Sequence, residues 1–212
     1  MSKTPLITII MATLLEADPF PQALELEKTK ELPFPVYQGD DINLVISGIG
    51  KTSAAAATAY ACLEPTASWI CNLGAAGATG SRSSPGDIYQ ISRVIEPDRI
   101  TPGLESPVSH TPAILPGFQI ATLATQDQPV ITPVARHQLS SQADLLDMEA
   151  ASVIQVTQIF KTPCLLFKFV SDTPERPGHN DVAENIRHYR ASFCRFFVDS
   201  VIPVIRNTPL PS

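Results

Sequence analysis

An apolar run over residues 163–170, interrupted only by Lys168, ends directly in Ser171 and Asp172. Such a run predicts a β-strand buried on both faces of a sheet. Open α/β sheets place their ligands in the crevice beyond the carboxyl ends of strands of this kind. Asp172 could accept hydrogen bonds there as an anion, or act as a general acid if apolar surroundings keep it protonated. Asp and Pro174 are equally ordinary turn residues, so the position alone leaves a simple turn open.

The composition indicates a globular protein with a small-molecule partner. Hydrophobic residues make up 44% of the chain, charged residues 17%, and the net charge is −6 without any Lys/Arg run, which argues against binding to nucleic acid. The first apolar segment is too short for a signal peptide, and no segment approaches the roughly 20 apolar residues that a membrane span needs. We therefore expect a cytoplasmic protein without a membrane partner. Its length suits one domain over residues 1–212, frayed from about residue 207.

Apolar runs alternate with helix-forming segments along the chain. Strands are predicted over residues 6–12, 43–47, 69–73, 87–96, 118–125, 129–131 and 163–170. Helices are predicted over residues 22–30, 52–63, 148–160 and 185–205, and the proline-rich segment 100–116 is predicted to be a long loop. This alternation predicts an α/β fold with a mixed central sheet.

Two glycine-rich segments follow predicted strands. Gly48-Ile-Gly50 precedes the helix over 52–63, where free backbone N–H groups would suit an anion or sugar hydroxyls. The segment lacks the third glycine of a dinucleotide site, and a purely structural turn explains it equally well. Residues 72–77 predict a second turn, which tight helix–sheet packing also explains.

Three carboxylates occur near the ends of predicted elements. Acidic residues before a helix can simply favour its dipole, as Asp147 and Glu149 would. Glu149, however, leads into an apolar helical face, where a carboxylate normally has a partner or a ligand. Glu16 follows the first strand and would project into the same crevice as Asp172. Three such carboxylates are difficult to explain as packing.

The cysteine and histidine patterns predict no metal site. Cys71, Cys164 and Cys194 lie in apolar runs, so we expect buried thiols, and the sequence has no C-x-x-C pair. The four histidines lack metal-ligand spacing.

Together these segments resemble the nucleoside phosphorylase and nucleosidase superfamily, most closely the methylthioadenosine/S-adenosylhomocysteine nucleosidases, with likeness also to (aminodeoxy)futalosine hydrolases. The similar blocks are residues 7–17, 47–51, 72–77, 86–88, 148–150 and 170–172. Met148-Glu-Ala and Val170-Ser-Asp, in this order, are the specific motifs. The resemblance implies a three-layer α/β/α sandwich, a homodimer, and no metal or organic cofactor.

The resemblance also implies roles for individual residues. Glu16 would orient and deprotonate the attacking water, and Asp172 would protonate purine N7. The substrate-binding set would be Glu149 on the ribose hydroxyls, Met148 on the sugar, Ser171 holding Asp172, Ile49 at the 5′ substituent, Gly77, and Val130 at the base. Protonating the base neutralises the leaving group while the sugar becomes oxocarbenium-like, so one carboxyl group acts as acid and another as base.

The chain departs from the family pattern at three positions. In the nucleophile pocket, Ala75 stands where Ser or Thr is common, and Lys168 where Arg is common. A phosphorylase holds phosphate with hydroxyls and bidentate Arg, so these changes favour water as the nucleophile. Pro129 falls where nucleosidases carry an aromatic that stacks on the base.

The sequence therefore predicts an enzyme, a nucleosidase that releases adenine from a 5′-modified adenine nucleoside. The substrate would be methylthioadenosine or S-adenosylhomocysteine, or else 6-amino-6-deoxyfutalosine in the futalosine route to menaquinone. The segment over residues 12–19 resembles futalosine hydrolases and favours the latter slightly. A phosphate-dependent purine nucleoside phosphorylase and a non-catalytic nucleoside-binding protein are the alternatives.

Overall fold

A computed structural model describes residues 6–63, 67–99, 107–174 and 182–209. The strands within these ranges are β1 (Leu6–Met11), β2 (Glu27–Lys30), β3 (Val36–Gln38), β4 (Ile42–Ile46), β5 (Ala67–Ala78), β6 (Ile88–Glu96), β7 (Val108–His110), β8 (Ile120–Thr125), β9 (Leu145–Asp147) and β10 (Cys164–Asp172). The α-helices are α1 (Leu14–Ala17), α2 (Phe20–Ala23), α3 (Lys51–Leu63), α4 (Pro133–Leu139), α5 (Ala150–Phe160), α6 (Val182–Phe196) and α7 (Ile202–Asn207).

These strands form one mixed sheet, as the sequence predicts. β1 lies parallel to β4 on one side and to β5 on the other. β10 pairs with β5 in parallel and with β6 in antiparallel orientation. β6 is followed by β8 and β9, and β9 pairs back onto β5, so five strands close into a ring. Because β1, β4, β5 and β10 run parallel to one another, their carboxyl ends lie at the same edge of the sheet.

Helices cover both faces of the sheet. Ile9 and Ile10 are successive residues of β1, and their side chains enter different apolar cores because a strand alternates its faces. The core around Ile9 includes Phe20 of α2 and Phe193 of α6, and the core around Ile10 includes Ala57 of α3 as well as residues of α5. This arrangement confirms the three-layer α/β/α sandwich.

The predicted helix over residues 22–30 is wrong. α2 ends at Ala23, and Glu27–Lys30 instead forms β2, whose four side chains are all exposed. A segment without an apolar stripe gains little from forming a helix on the sheet surface. It pairs antiparallel with β3 at the sheet edge.

Two further sequence predictions fail at the edge of the ring. The turn predicted at residues 72–77 is part of β5, which runs on to Ala78 because β10 and β9 pair with its backbone there. The strand predicted at 129–131 is irregular, and the residues after it form α4, capped by the Thr132 side chain. Short polar helices of this kind carry no apolar periodicity that sequence analysis can detect.

The predicted C-terminal helix over 185–205 is present but interrupted. α6 passes into a π-helical turn over Phe197–Val201 before α7, which contains Pro203 in its first turn. Proline has no N–H to donate to the preceding turn, and a π-helical turn accommodates such a defect. Of the predicted loop over 100–116, residues 100–106 lie outside the described ranges, and Val108–His110 pairs with β6 as β7. In the predicted frayed tail, α7 ends at Asn207, and residues 210–212 lie outside the described ranges.

The predicted buried thiols are confirmed. Cys71, Cys164 and Cys194 are almost completely shielded from solvent. Burial raises the pKa of Cys164 to about 12, which keeps this thiol protonated and unreactive. Within the described ranges, none of the helices combines the length and apolar character that crossing a bilayer requires.

Candidate active site

A cavity of about 470 Å³ opens at the carboxyl ends of β1, β5 and β10. This volume is in the usual range for a small-molecule site. The cavity is lined by nine of the ten residues that the sequence assigns to the site, namely Glu16, Ile49, Ala75, Gly77, Val130, Met148, Glu149, Ser171 and Asp172. The structure thus brings these nine together, while Lys168 lies behind the cavity wall.

Glu16 is held rigidly at the start of the cavity by a capping box. The Thr13 side chain accepts from the Glu16 backbone N–H, and Glu16 Oε2 accepts from both the Thr13 N–H at 3.1 Å and its hydroxyl at 2.6 Å. The other oxygen, Oε1, accepts from the N–H of Ala75 at 2.8 Å. A Cβ at Gly74 would lie 2.8 Å from Oε1, so a glycine there permits the approach. Helix capping and strand β5 together fix the carboxylate.

Glu149 is the second buried carboxylate of the cavity wall. Its Oε1 accepts from the Gly50 N–H at 2.8 Å, so this N–H at the start of α3 holds a side chain of the protein itself. Of the two interpretations left open for the Gly48-Ile-Gly50 turn, this hydrogen bond favours the structural one at Gly50. Burial, together with the neighbouring Asp147 carboxylate, raises the pKa of Glu149 to about 7. The side chain can therefore change its charge near neutral pH.

Asp172 ends β10, as the sequence predicts, and each of its oxygens has a partner. Oδ1 accepts from the Ser171 hydroxyl at 2.6 Å, and Oδ2 forms an ion pair with Nη2 of Arg136. Ser171 is itself oriented toward the carbonyl of Ala76. Asp172 is only 3% exposed, so the simple-turn interpretation does not describe it.

Lys168 forms a buried ion pair instead of facing the cavity. Its Nζ lies 2.9 Å from Oδ2 of Asp147. The Ala150 N–H also donates to Oδ2, and the Thr125 hydroxyl donates to Oδ1. Burial alone would lower the pKa of Lys168, but the carboxylates of Asp147 and Glu149 outweigh it and raise that pKa. The Lys168 cation is thus paired with the protein's own carboxylates. Asp147 also lies at the start of helix α5, where an acidic residue favours the helix dipole, as the sequence suggested.

Sequence analysis missed two residues of the site. Thr13 could have been found, because Thr13-Leu-Leu-Glu16 matches the capping-box pattern. Arg136 gave no signal, because it lies in a polar segment after a proline and reaches Asp172 only through the tertiary fold. Pro129 lines the cavity, so the aromatic expected at that position is replaced there by a proline ring.

The charges in the cavity are mostly negative. Three carboxylates line it, from Glu16, Glu149 and Asp172, and among the described lining residues Arg136 is the single cation. Within the described ranges, no three His, Cys, Asp or Glu side chains cluster in a way that could hold a metal ion. The polar groups that line the cavity thus include positioned carboxylates, one guanidinium and the hydroxyls of Thr13 and Ser171.

A family model described as the phosphorylase superfamily matches residues 7–119 and 115–203. The chain belongs to this superfamily. The match covers most of the sequence, including every residue assigned to the site, and it confirms the resemblance drawn from the motifs. Among curated relatives, a 5′-methylthioadenosine/S-adenosylhomocysteine nucleosidase of Arabidopsis thaliana is 28% identical over a gapped alignment of 222 positions, which covers 88% of this chain and 87% of the relative.

Two solved structures share the fold of this chain. A 5′-methylthioadenosine/S-adenosylhomocysteine nucleosidase of Helicobacter pylori, solved with butyl-thio-DADMe-Immucillin-A, superposes with a TM-score of 0.82 at 20% identity, over 94% of this chain and 99% of that one. The futalosine hydrolase of Helicobacter pylori strain 26695 superposes equally well, with a TM-score of 0.82 at 19% identity, over 95% and 99%. At these identities the likeness establishes the nucleoside phosphorylase-like fold.

Proposed function

We propose that this protein is an enzyme, a nucleosidase that hydrolyses the N-glycosidic bond of a 5′-modified adenine nucleoside and releases adenine. The observation that carries the proposal is the convergence of Glu16, Glu149 and Asp172 on one cavity, each held by a specific hydrogen bond. Its superfamily membership and its nucleosidase relatives support the same activity.

The three carboxylates suit three different tasks in this reaction. Glu16 would orient water and take its proton, because the capping box fixes Oε2 and the Ala75 N–H fixes Oε1. Glu149 would accept hydrogen bonds from the ribose hydroxyls, with Met148 against the sugar ring. Asp172 would act at the purine, where negative charge develops as the bond to C1′ breaks. Ile49 and Val130 would contact the 5′ group and the base, respectively.

Water is favoured over phosphate as the nucleophile. A phosphate dianion would enter a cavity lined by the carboxylates of Glu16, Glu149 and Asp172, and such like-charge contacts disfavour it. The two cations near the cavity are already paired, Lys168 with Asp147 and Arg136 with Asp172. Ala75 offers no side-chain hydroxyl. These features speak against a phosphorylase.

The two candidate substrate groups differ in the substituent at the 5′ position. We propose 6-amino-6-deoxyfutalosine first, which would place the enzyme in the futalosine route to menaquinone, and methylthioadenosine or S-adenosylhomocysteine second. The equal superposition on a futalosine hydrolase and on a methylthioadenosine/S-adenosylhomocysteine nucleosidase supports both groups. Ile49 is 60% exposed at the cavity, where it could contact either kind of 5′ group.

Adenine release from the three nucleosides tests the proposal, with and without inorganic phosphate, in ¹⁸O-labelled water. Formation of a sugar product that carries ¹⁸O at C1′ in the absence of phosphate would support hydrolysis. Product only with phosphate would assign a phosphorylase, and tight binding without turnover would assign a binding protein. Asp172→Asn should lower kcat by at least about 10²-fold while the thermal unfolding temperature changes little, because one positioned acid typically contributes that much.

We further propose that the enzyme is a single-domain cytoplasmic homodimer. Large apolar side chains at the surface, such as Ile120, Ile131 and Val134, would be more favourably placed in a subunit interface than in water. Sedimentation equilibrium at micromolar concentration measures the mass, and a monomer would contradict the assembly.

A further inference from the structure

Glu16, the proposed base, is carried by a helix that is too short to keep its own geometry. α1 has four residues, and a single helical turn is not stable by itself, because ordering it loses more entropy than its few hydrogen bonds offset. The capping box with Thr13 holds the amino-terminal end of this turn. The carboxyl-terminal end depends on contacts from elsewhere in the fold.

The carbonyl of Leu15 at that end lacks the usual helical partner. In an α-helix this oxygen would accept from the backbone N–H four residues later. The residue at that position is Pro19, which has no N–H. The sequence of α1 therefore leaves the carbonyl of the Leu15–Glu16 peptide bond without its intrahelical donor.

Arg190 of α6 supplies a donor to this carbonyl. Its Nη1 donates to the Leu15 oxygen at 2.8 Å, although the two residues are 175 positions apart in the chain. Nη2 of the same guanidinium lies 2.8 Å from Oδ2 of Asp18, the C-cap residue of α1. Basic side chains can satisfy the last carbonyls of a helix in this way. Arg190 thus caps α1 from a different helix.

The peptide group between Leu15 and Glu16 is consequently held at both of its polar atoms. Its oxygen accepts from Arg190, and its N–H, which belongs to Glu16, donates to the Thr13 hydroxyl at 3.2 Å. Because a peptide group is planar, these two contacts restrict the orientation of the plane and the direction in which the Glu16 side chain leaves the backbone. From this position the carboxylate accepts from the Ala75 N–H of β5.

The same arginine joins α1 to a second element of the cavity wall. Leu15 and Ile186 both line the cavity, and Ile186 lies four residues before Arg190, on the same side of α6. Arg190 is 24% exposed and is not among the residues that line the cavity. It can therefore act on the site through α1, not by touching a substrate.

We infer that Arg190 is a positioning residue for the catalytic base: by donating to the Leu15 carbonyl, it holds the turn from which Glu16 reaches the attacking water. This inference rests on the proposed nucleosidase function, in which Glu16 takes a proton from that water. The ion pair with Asp18 does not carry the role, because Asp18 is 63% exposed and surface ion pairs contribute little.

Steady-state kinetics of Arg190→Met and Arg190→Lys test the inference on the adenine nucleoside that the wild type cleaves. Arg190→Met should lower kcat by about tenfold and change KM by less than about twofold, since displacing a catalytic group by a full 1 Å can cost roughly 10²-fold and a smaller shift costs less. Arg190→Lys should recover most of the loss, because an ammonium group can also donate to the Leu15 carbonyl. Thermal unfolding checks that each variant is folded at the assay temperature.

Two matched controls separate this role from the general loss of an arginine contact. Arg206→Met removes an arginine of α7 that pairs with Asp41 through Nε and Nη2, and neither residue lines the cavity. Asp18→Asn removes the charge partner of Arg190 but leaves the donor to Leu15. Both variants should keep kcat within about twofold of wild type. A tenfold loss in Asp18→Asn would assign the effect to the ion pair and overturn the inference.

A double-variant cycle with Glu16→Gln gives a readout that a merely structural role would not produce. If Arg190 acts through Glu16, its loss has little further effect once the base is removed. Arg190→Met should then change the residual single-turnover rate of Glu16→Gln by less than about twofold. Independent structural effects would multiply instead, so a further tenfold loss in the double variant would overturn the inference.

The wild type distinguishes failure of this inference from failure of the proposed function. A wild type that cleaves no adenine nucleoside would refute the proposed function, and the inference with it. An active wild type together with an Arg190→Met variant of unchanged kcat would refute the inference alone.

Discussion

Lys168 and Asp147 form an ion pair behind the cavity wall, with Nζ 2.9 Å from Oδ2 and both side chains at most 2% exposed. The pair joins β10 to the end of β9. Lys168 lowers the pKa of the nearby Glu149, but burial and the Asp147 carboxylate, which both have larger effects, raise that pKa. A lysine that sequence comparison would place at the nucleophile is thus part of the structural support of the site.

Lys168→Met should destabilise the fold by about 3–5 kcal/mol, because it leaves the Asp147 carboxylate buried without a counter-charge. Urea unfolding at pH 7 measures this change. The double variant Lys168→Met/Asp147→Leu is the control and should recover most of the loss, since an apolar pair can replace a buried ion pair. A single variant within 1 kcal/mol of wild type would show that the pair is not buried as described.

Glu149→Gln should become more stable relative to wild type as the pH rises. Folding raises the pKa of Glu149 from an ordinary 4.5 to about 7, so the folded state binds more protons than the unfolded state in this window. Stability contributed by this group is therefore lost as the pH rises from 4.5 to about 7, by about 3 kcal/mol in total. Urea unfolding of both proteins at pH 5, 6, 7 and 8 measures the difference, and a difference independent of pH would contradict the prediction.

Gly74→Ala should lower kcat by about 10²-fold through displacement of Glu16. The new Cβ would lie 2.8 Å from Glu16 Oε1, and displacing a catalytic group by about 1 Å can have an effect of this size. Gly80→Ala is the control, because its nearest neighbour, Cβ of Ser140, would be 4.0 Å away. Equal losses in the two variants, or full activity of Gly74→Ala, would argue against the positioning of Glu16 by β5.

Glu16→Gln should abolish hydrolysis, with a loss of about 10²–10⁴-fold, while nucleoside binding persists. The amide oxygen can still accept from Ala75, but the side chain can no longer take a proton from water. Single-turnover kinetics and equilibrium binding measure the two effects separately. Asp18→Asn, which changes an exposed carboxylate two residues along, should keep full activity; a Glu16→Gln enzyme with comparable activity would reassign the base.

Much of the fold could be predicted from local patterns. β10 follows from its apolar run, and α3 from an alanine-rich segment after a glycine turn. β5 is longer than the sequence predicts, because glycines within 72–77 are typical of a turn and only pairing with β10 and β9 keeps them extended. α2 and β2 were confused because neither has an apolar periodicity.

The same distinction applies to the site. Asp172 and Glu149 could be located because their motifs are short and contiguous. Arg136 could not, since its contact with Asp172 joins residues from a polar helix and a buried strand that are far apart in the chain. Likewise, the Gly50 N–H donates to Glu149, which is nearly a hundred residues away in the chain, so local sequence patterns could not identify this partner.

The sequence by itself determined the layers of the fold and the identity of the three carboxylates, because burial periodicity and contiguous motifs are local properties of a chain. Only the tertiary structure decided what each carboxylate touches: Glu16 with Ala75, Glu149 with Gly50, and Asp172 with Arg136. Hydrogen bonds and ion pairs depend on distances of about 3 Å between atoms, and the packing of distant elements sets those distances.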